Sequence, residues 1–207
     1  MRSGSTQEHW QTVYSARKPQ EVGWYQSEHK VSLMLIMESG IGPEGRILDA
    51  GSGSTTLLDG LLDSGFEDLI AVDLSDLALQ NSRNRLGDAV EWVVDDLTRP
   101  SRLLELDPVD LWHDRAVLHF FTSEEETKGY LNTMMRVLKV GGHAVIETFA
   151  TTGAEKCSGL VLQRYDAEML SEFLGDSFQL LRAVEHIHTT PGGGERPYVS
   201  TLFRRIE

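Results

Sequence analysis

The sequence predicts an α/β protein: a mostly parallel sheet of seven strands, helices on both faces, and an antiparallel hairpin at the C-terminal end. Three observations predict it. Short apolar, strand-like runs alternate with helix-like segments from residue 46 to residue 174, the pattern of parallel strands joined by crossover helices. The last two strand-like runs have no helix between them, and Thr190-Pro191-Gly192-Gly193-Gly194 joins them as a hairpin loop. Finally, Ile47-Leu48-Asp49-Ala50 is a short apolar run that passes through an acid into Gly51-Ser52-Gly53, as a buried parallel strand does where it feeds a helix.

Taken in chain order, residues 8 to about 40 read as a helical N-terminal cover. Met1–Ser5 reads partly as an expression remnant and is set aside. Strands are expected at 46–50, 68–73, 90–94, 109–113, 143–149, 178–188 and 197–204. Helices are expected at 55–64, 75–86, 123–138 and 166–174, with a short one at 98–104. Ser123 and Glu126 form a capping box ahead of Tyr130, Leu131, Met134, Val137 and Leu138, which recur at helical spacing. Gly141-Gly142 is expected to stop that helix and turn into the next strand, and Asp166 to cap the helix that follows. No repeat or low-complexity linker interrupts the chain. Two parts are expected: a cover or lid over 1–40 and a ligand-binding domain over 41–207.

The chain's 207 residues are enough for one α/β domain with a sizeable core. Its net charge of −13 argues against a surface for the phosphate backbone of nucleic acids or for anionic membranes, and leaves a small molecule or a basic protein as partner. The apolar run Leu33-Met34-Leu35-Ile36-Met37 is far too short to span a bilayer, and no signal peptide is visible. One cysteine, Cys157, forms no internal disulfide, which points to a reducing compartment, the cytoplasm.

Gly51 and Gly53 allow positive φ and let a ligand approach loop amides that face outward from the start of a helix. Twenty residues on, at the end of Leu69-Ile70-Ala71-Val72-Asp73, Asp73 has the spacing of a carboxylate that accepts from two ribose hydroxyls. The same residues have plainer readings: Gly51 and Gly53 as an ordinary strand-to-helix turn, Asp73 as a helix cap shared with Ser75. A dinucleotide fingerprint requires a third glycine, where this chain has Thr56. A nicotinamide or flavin site is therefore a poor match.

Asp-x-Gly-x-Gly, with the acid two residues before the first glycine, instead resembles motif I of the class I S-adenosylmethionine-dependent methyltransferases. That resemblance implies a Rossmann-like fold with S-adenosyl-L-methionine as cofactor, and the terminal hairpin agrees with it. It further implies roles at four strand ends. Asp49, Gly51 and Gly53 would hold the amino-acid end, Asp73 the ribose, and Leu74 would lie against the adenine. Asp96 and Leu97 would read the adenine edge, although Asp95/Asp96 also reads as a solvated pair. Asp114 and Arg115 would lie near the reactive methyl. Leu138-Lys139-Val140-Gly141-Gly142 resembles the turn after the fourth crossover helix in these enzymes, with Val140 in place of proline.

The acceptor has to be read from the lid and the fourth strand end. Glu21-Val22-Gly23-Trp24-Tyr25-Gln26 is an aromatic cluster; Trp24 closes over the methionine end of the cofactor or anchors the cover. Asp114-Arg115-Ala116-x-Leu118 resembles the thiopurine and thiol S-methyltransferases, which implies a small-molecule acceptor with a thiol or similar soft nucleophile. Beyond the fifth strand Cys157-Ser158-Gly159-Leu160 stands where that family has a Gly/Pro-rich loop. The lid segment also resembles that of some small lysine methyltransferases, so a basic protein substrate is the rival; a non-catalytic binding protein is another. His119 is the candidate base if its segment is helical, or a structural histidine; Arg115 pairs with Asp114, orients the loop or holds an anionic substrate group. Cys157 reads as a small semi-buried residue. His186 and His188 share a strand face; no third metal ligand is evident, and a solvated or pocket-rim face is expected.

Overall fold

The structure, a computed structural model, describes residues 6–207. Met1–Ser5, set aside above, lie outside the described residues. The strands are β1 (Ile47–Ala50), β2 (Leu69–Asp73), β3 (Glu91–Val94), β4 (Val109–Arg115), β5 (Leu138–Phe149), the short pair β6 (Lys156–Cys157) and β7 (Leu160–Val161), β8 (Phe178–Thr189) and β9 (Glu195–Arg205). Seven of them form one sheet in the order β3-β2-β1-β4-β5-β9-β8. β1 to β5 pair in parallel, and β9 lies antiparallel between β5 and β8. The strand order reverses between β1 and β4, where open α/β sheets leave a crevice at their carboxyl ends. This is the Rossmann-like sheet with a terminal hairpin that the alternation of elements predicts.

The helices are α1 (Gln7–Ala16), α2 (Lys30–Glu38), α3 (Leu57–Asp63), α4 (Asp76–Leu86), α5 (Glu124–Val137) and α6 (Ala167–Leu174). Successive strand residues point to opposite faces, so each buried strand feeds two cores. Ile47, Leu69, Leu111 and Val145 pack under Leu35 and Ile36 of α2, Leu57, Leu58 and Leu61 of α3 and Leu79 of α4. Leu48, Ile70, Trp112 and Ile146 face Tyr130, Met134 and Val137 of α5 and Leu170 and Leu174 of α6. Each fully buried leucine or isoleucine contributes roughly 1.5–3 kcal/mol. Local caps agree with the sequence: Ser75 Oγ accepts from the Ala78 amide, Ser123 and Glu126 close their capping box, and Asp166 accepts from the Met169 amide. No helix among the described residues is long and apolar enough to cross a membrane.

Four local expectations are corrected. The fifth strand begins at Leu138, five residues early, because Leu138 is already extended (φ −81°, ψ 132°) and pairs with Val109. Gly141-Gly142 therefore serves an excursion within β5 and does not stop a helix; a Cβ on Gly142 would lie 2.9 Å from the Asp110 carbonyl oxygen. Residues 98–104 hold no α-helix, only a 3₁₀ turn at Arg102–Glu105, because Asp95 captures the amides of Ser101 and Leu103, both at 2.9 Å. β4 runs on to Arg115 and a 3₁₀ turn follows at Leu118–Phe120, so His119 is not one α-helical turn past Arg115. Between them Ala116 sits at φ +68°, a left-handed conformation that costs an L-residue roughly 1–2 kcal/mol. Cys157-Ser158-Gly159-Leu160 forms a two-residue hairpin between β6 and β7, with Ser158 at φ +49° and Gly159 at φ +80°.

Candidate active site

The carboxyl ends of β1 to β4 open on a cavity of about 350 Å³. Each strand end places a residue on its wall: Gly51 after β1, Asp73 and Leu74 at β2, Asp96 and Leu97 after β3, Arg115 and Ala116 at β4. Trp10 and Tyr14 of α1, with Trp24 of the loop after it, close the opposite side. A narrower cavity of about 40 Å³ continues from Gly51, Trp24 and Arg115 toward Asp49 and His113. A third, of about 210 Å³, shares Trp24, Ala116 and Phe120 with the first.

Gly51 and Gly53 take φ of +69° and +56°, as a tight Gly-x-Gly turn requires. Gly53 lines none of these three cavities. Its amide donates to Asp73 Oδ2 at 3.0 Å, and the Ser75 amide donates to Oδ1 at 2.9 Å, so Asp73 is aimed by the loop it faces. Burial pushes the Asp73 carboxyl up to about 6 against those two amides. The Leu74 carbonyl accepts from Gln7 at 3.0 Å, which ties α1 to the strand end. Asp96 accepts from the Thr98 amide and hydroxyl at 2.8 and 2.7 Å while its side chain borders the cavity. Its neighbour Asp95 is buried and spent on the turn at Ser101–Leu103, so it is no solvated pair.

Asp49 is buried, and its Oδ1 accepts from His113 Nδ1 at 2.7 Å. Its Oδ2 has no hydrogen-bond partner among the described residues. His113 Nε2 lies 3.5 Å from Glu147 of β5, which also accepts from Ser32 of α2 and from Ser200 of β9 at 2.8 Å. Burial opposes charge on His113, but the hydrogen bond to Asp49 and the Glu147 carboxylate 3.5 Å away outweigh it and push the pKa up to about 9. Burial likewise opposes charge on Glu147, and the His113 and His186 rings, 3.5 and 3.6 Å away, hold it well below the usual carboxylate range. Two carboxylates thus flank one imidazolium beneath the glycine turn.

Arg115 Nη1 donates to the Trp24 carbonyl at 2.8 Å, and the guanidinium stacks on Tyr198, 5.4 Å from the ring centre. Its Nε and Nη2 are buried without hydrogen-bond partners among the described residues. Asp114, expected near the reacting methyl, is instead turned into the core. It is fully buried, accepts from Tyr130 at 2.7 Å and from the Val117 and Leu118 amides at 3.1 Å, and lines none of these cavities. Burial pushes its carboxyl up to about 7. It holds the turn that presents Ala116 and does not pair with Arg115.

His119 borders the third cavity. Its Nδ1 shares a hydrogen bond with Thr148 at 3.1 Å, and its buried Nε2 has no partner among the described residues. Burial, with the nearby Arg115 charge, lowers its pKa to about 3, so the ring is neutral at pH 7. Burial raises the Cys157 thiol, which stays protonated. His188 is buried and not solvated: Nε2 donates to the Gly23 carbonyl at 2.8 Å and Nδ1 accepts from Gln26 at 3.2 Å. His186 bonds Ser200 at 2.8 Å, next to Glu147. Sequence reasoning missed Trp10, Tyr14 and Phe120. Trp10 and Tyr14 stand four apart on α1, one face of a helix, which was the available signal.

Residues 47–142 match a family described as "Methyltransferase domain". The chain is 28% identical over 172 residues to EEF1A lysine methyltransferase 2 of Mus musculus, covering 72% of this chain and 68% of that protein. A S-adenosylmethionine-dependent methyltransferase from Anabaena variabilis has the same fold (TM-score 0.77, 16% identity, 96% of this chain and 93% of that one). So has the N-methyltransferase NodS of Bradyrhizobium japonicum in complex with S-adenosyl-L-homocysteine (TM-score 0.66, 18% identity, 86% of each chain). The family match, on a fold shared with these enzymes, makes the chain a methyltransferase. S-Adenosyl-L-methionine is its methyl donor.

The residues present fit that donor. Its amino-acid end is a zwitterion, and one small cavity offers an unpartnered carboxylate oxygen on Asp49 and two unpartnered guanidinium nitrogens on Arg115.

Proposed function

We propose that the chain transfers the methyl group to a small molecule whose nucleophile is a thiol or another soft, readily ionised atom. The observation that carries this is the cavity of about 210 Å³ that shares Trp24, Ala116 and Phe120 with the strand-end cavity. Asp73 accepts from the ribose, Asp96 and Leu97 meet the adenine with Leu74 against its face, and Asp49 and Arg115 hold the two charges of the amino-acid end. Gly51 and Gly53 keep the loop close. Bound S-adenosyl-L-methionine supplies an electrophilic methyl on a sulfonium. The chain's own residues then align the acceptor and exclude water, with residues 1–40 as the lid. A histidine with a pKa of about 3 is a weak proton acceptor, so His119 suits a nucleophile that needs little base help and serves here to position it. The single cysteine supports a reducing compartment, the cytoplasm.

A second reading, methylation of a protein lysine, is favoured by the mouse lysine methyltransferase among the relatives. Tritiated donor incubated with purified enzyme and either a panel of thiols, amines and alcohols or a panel of basic proteins separates the two. Label in a thiol supports the proposal. Label only in protein overturns it.

A further inference from the structure

We infer that the methyl acceptor carries an anionic group, a carboxylate or a phosphate ester, held by Arg17, Lys156 and Arg196 at the mouth of the 210 Å³ cavity. The inference rests on the reading of that cavity as the acceptor site. Those three residues come from separate places in the chain: the residue that ends α1, β6 and β9. The chain has 32 acidic and 19 basic residues, so carboxylates outnumber the basic side chains they could pair with. Half of the described basic side chains do pair, among them Arg46 with Asp68 and Glu91, Arg85 with Asp59 and Lys139 with Asp110. Arg17, Lys156 and Arg196 have no carboxylate partner among the described residues, and no acidic residue lines this cavity.

Three like charges gathered without a counter-charge repel one another and focus a positive potential on the opening. An anion resolves that cost, and a lysine ammonium adds to it. Below the mouth the walls are Phe120, Phe149 and Tyr198, with Phe149 and Tyr198 4.8 Å apart, ring centre to ring centre. Arg17 and Arg196 also act on Cys157 electrostatically, which places both charges over the same spot. The occupant defined by this arrangement is amphipathic, with an apolar or aromatic body on the ring walls and an anionic head among the cations. Its nucleophilic atom forms a bond to the methyl carbon as the carbon–sulfur bond of the donor breaks. The electron pair stays on sulfur, and any proton on the nucleophile passes to solvent.

The test is calorimetric titration of the enzyme saturated with S-adenosyl-L-homocysteine, using benzoate, phenylacetate and phenyl phosphate against benzyl alcohol and benzylamine. At least one anion is expected to bind about tenfold or more tighter than the alcohol, with benzylamine weakest and with binding weakened by salt. K156Q and R196Q should each weaken the anion about fivefold or more, while affinity for S-adenosyl-L-homocysteine stays unchanged. Benzoate against phenyl phosphate tells carboxylate from phosphate. Alcohol or amine binding as tightly as every anion overturns the inference and leaves the small-molecule reading standing. The absence of binding by any anion also overturns it. If, in addition, no small molecule of any charge binds and only basic proteins take label, the small-molecule reading falls as well.

Discussion

Asp73 is held by two backbone amides that leave acceptor capacity on both oxygens, so the role proposed for it toward a diol depends on the carboxylate charge. Asp73→Asn should keep the fold and weaken S-adenosyl-L-methionine by about tenfold or more, roughly 1.4 kcal/mol, in calorimetry; unchanged affinity would remove Asp73 from the site. Gly51 has two constraints at once. Its φ is +69°, and a Cβ there would lie 2.2 Å from Val117 Cγ2. Gly51→Ala should therefore lower stability by about 1–2 kcal/mol and abolish measurable cofactor binding, because the turn must open to admit the methyl. Arg115→Gln tests the charge match at the amino-acid end: cofactor affinity should fall about tenfold or more, before any effect on kcat. A fall in kcat alone would return Arg115 to the acceptor side. Asp73 and Gly51 were legible in the sequence because a strand, a turn and a fixed spacing are local facts. The unpartnered edge of Arg115 was not, because it depends on Trp24, 91 residues earlier in the chain.

The proposed lid is a set of elements whose attachments can be named. α1 packs beside α4, Gln7 reaches Leu74, Arg115 holds the Trp24 carbonyl, and His188 of β8 holds Gly23 and Gln26. His188 itself lines none of the cavities that would take donor and acceptor, although the Gly23 and Gln26 it holds do. His188→Ala should raise hydrogen exchange of the amides at 22–27 and raise KM for donor and acceptor together, with a smaller effect on kcat. Unchanged exchange would mean that the segment is held by its aromatic packing, in which Trp10 and Trp24 lie edge to face at 5.8 Å. The existence and type of the long elements followed from their periodicity. Their ends did not: β5 begins early and β4 ends late because pairing with a neighbouring strand extends residues whose own pattern is neutral.

At the scale of the whole molecule, the buried Asp49–His113–Glu147 group couples stability to pH. The folded pKa of His113, about 9, lies above its ordinary 6.5. Its contribution is therefore complete below pH 6.5 and is lost as pH rises toward 9. At about 1.36 kcal/mol per unit, the loss amounts to ~3 kcal/mol. Urea unfolding at pH 6.5, 7.5 and 9 should show that decline, and His113→Gln should start from lower stability and lose most of the slope. A slope unchanged in the variant would place the titration elsewhere.

The sequence by itself determined the sheet, the layering of helices, the glycine turn and the acids at the ends of β1, β2 and β3. Each of these depends on side-chain period or on spacing within a single strand–turn–helix unit, and such patterns survive in one dimension. Tertiary structure alone decided which way a strand-end side chain turns. Asp114 faces the core because Tyr130 and two amides await it there, while the next residue, Arg115, faces the cavity. It alone brought Glu147, with Ser32 bonded to it, to His113, and Arg17, Lys156 and Arg196 to one opening. The charge of a site is a sum over residues far apart in the chain, and only folding performs that sum.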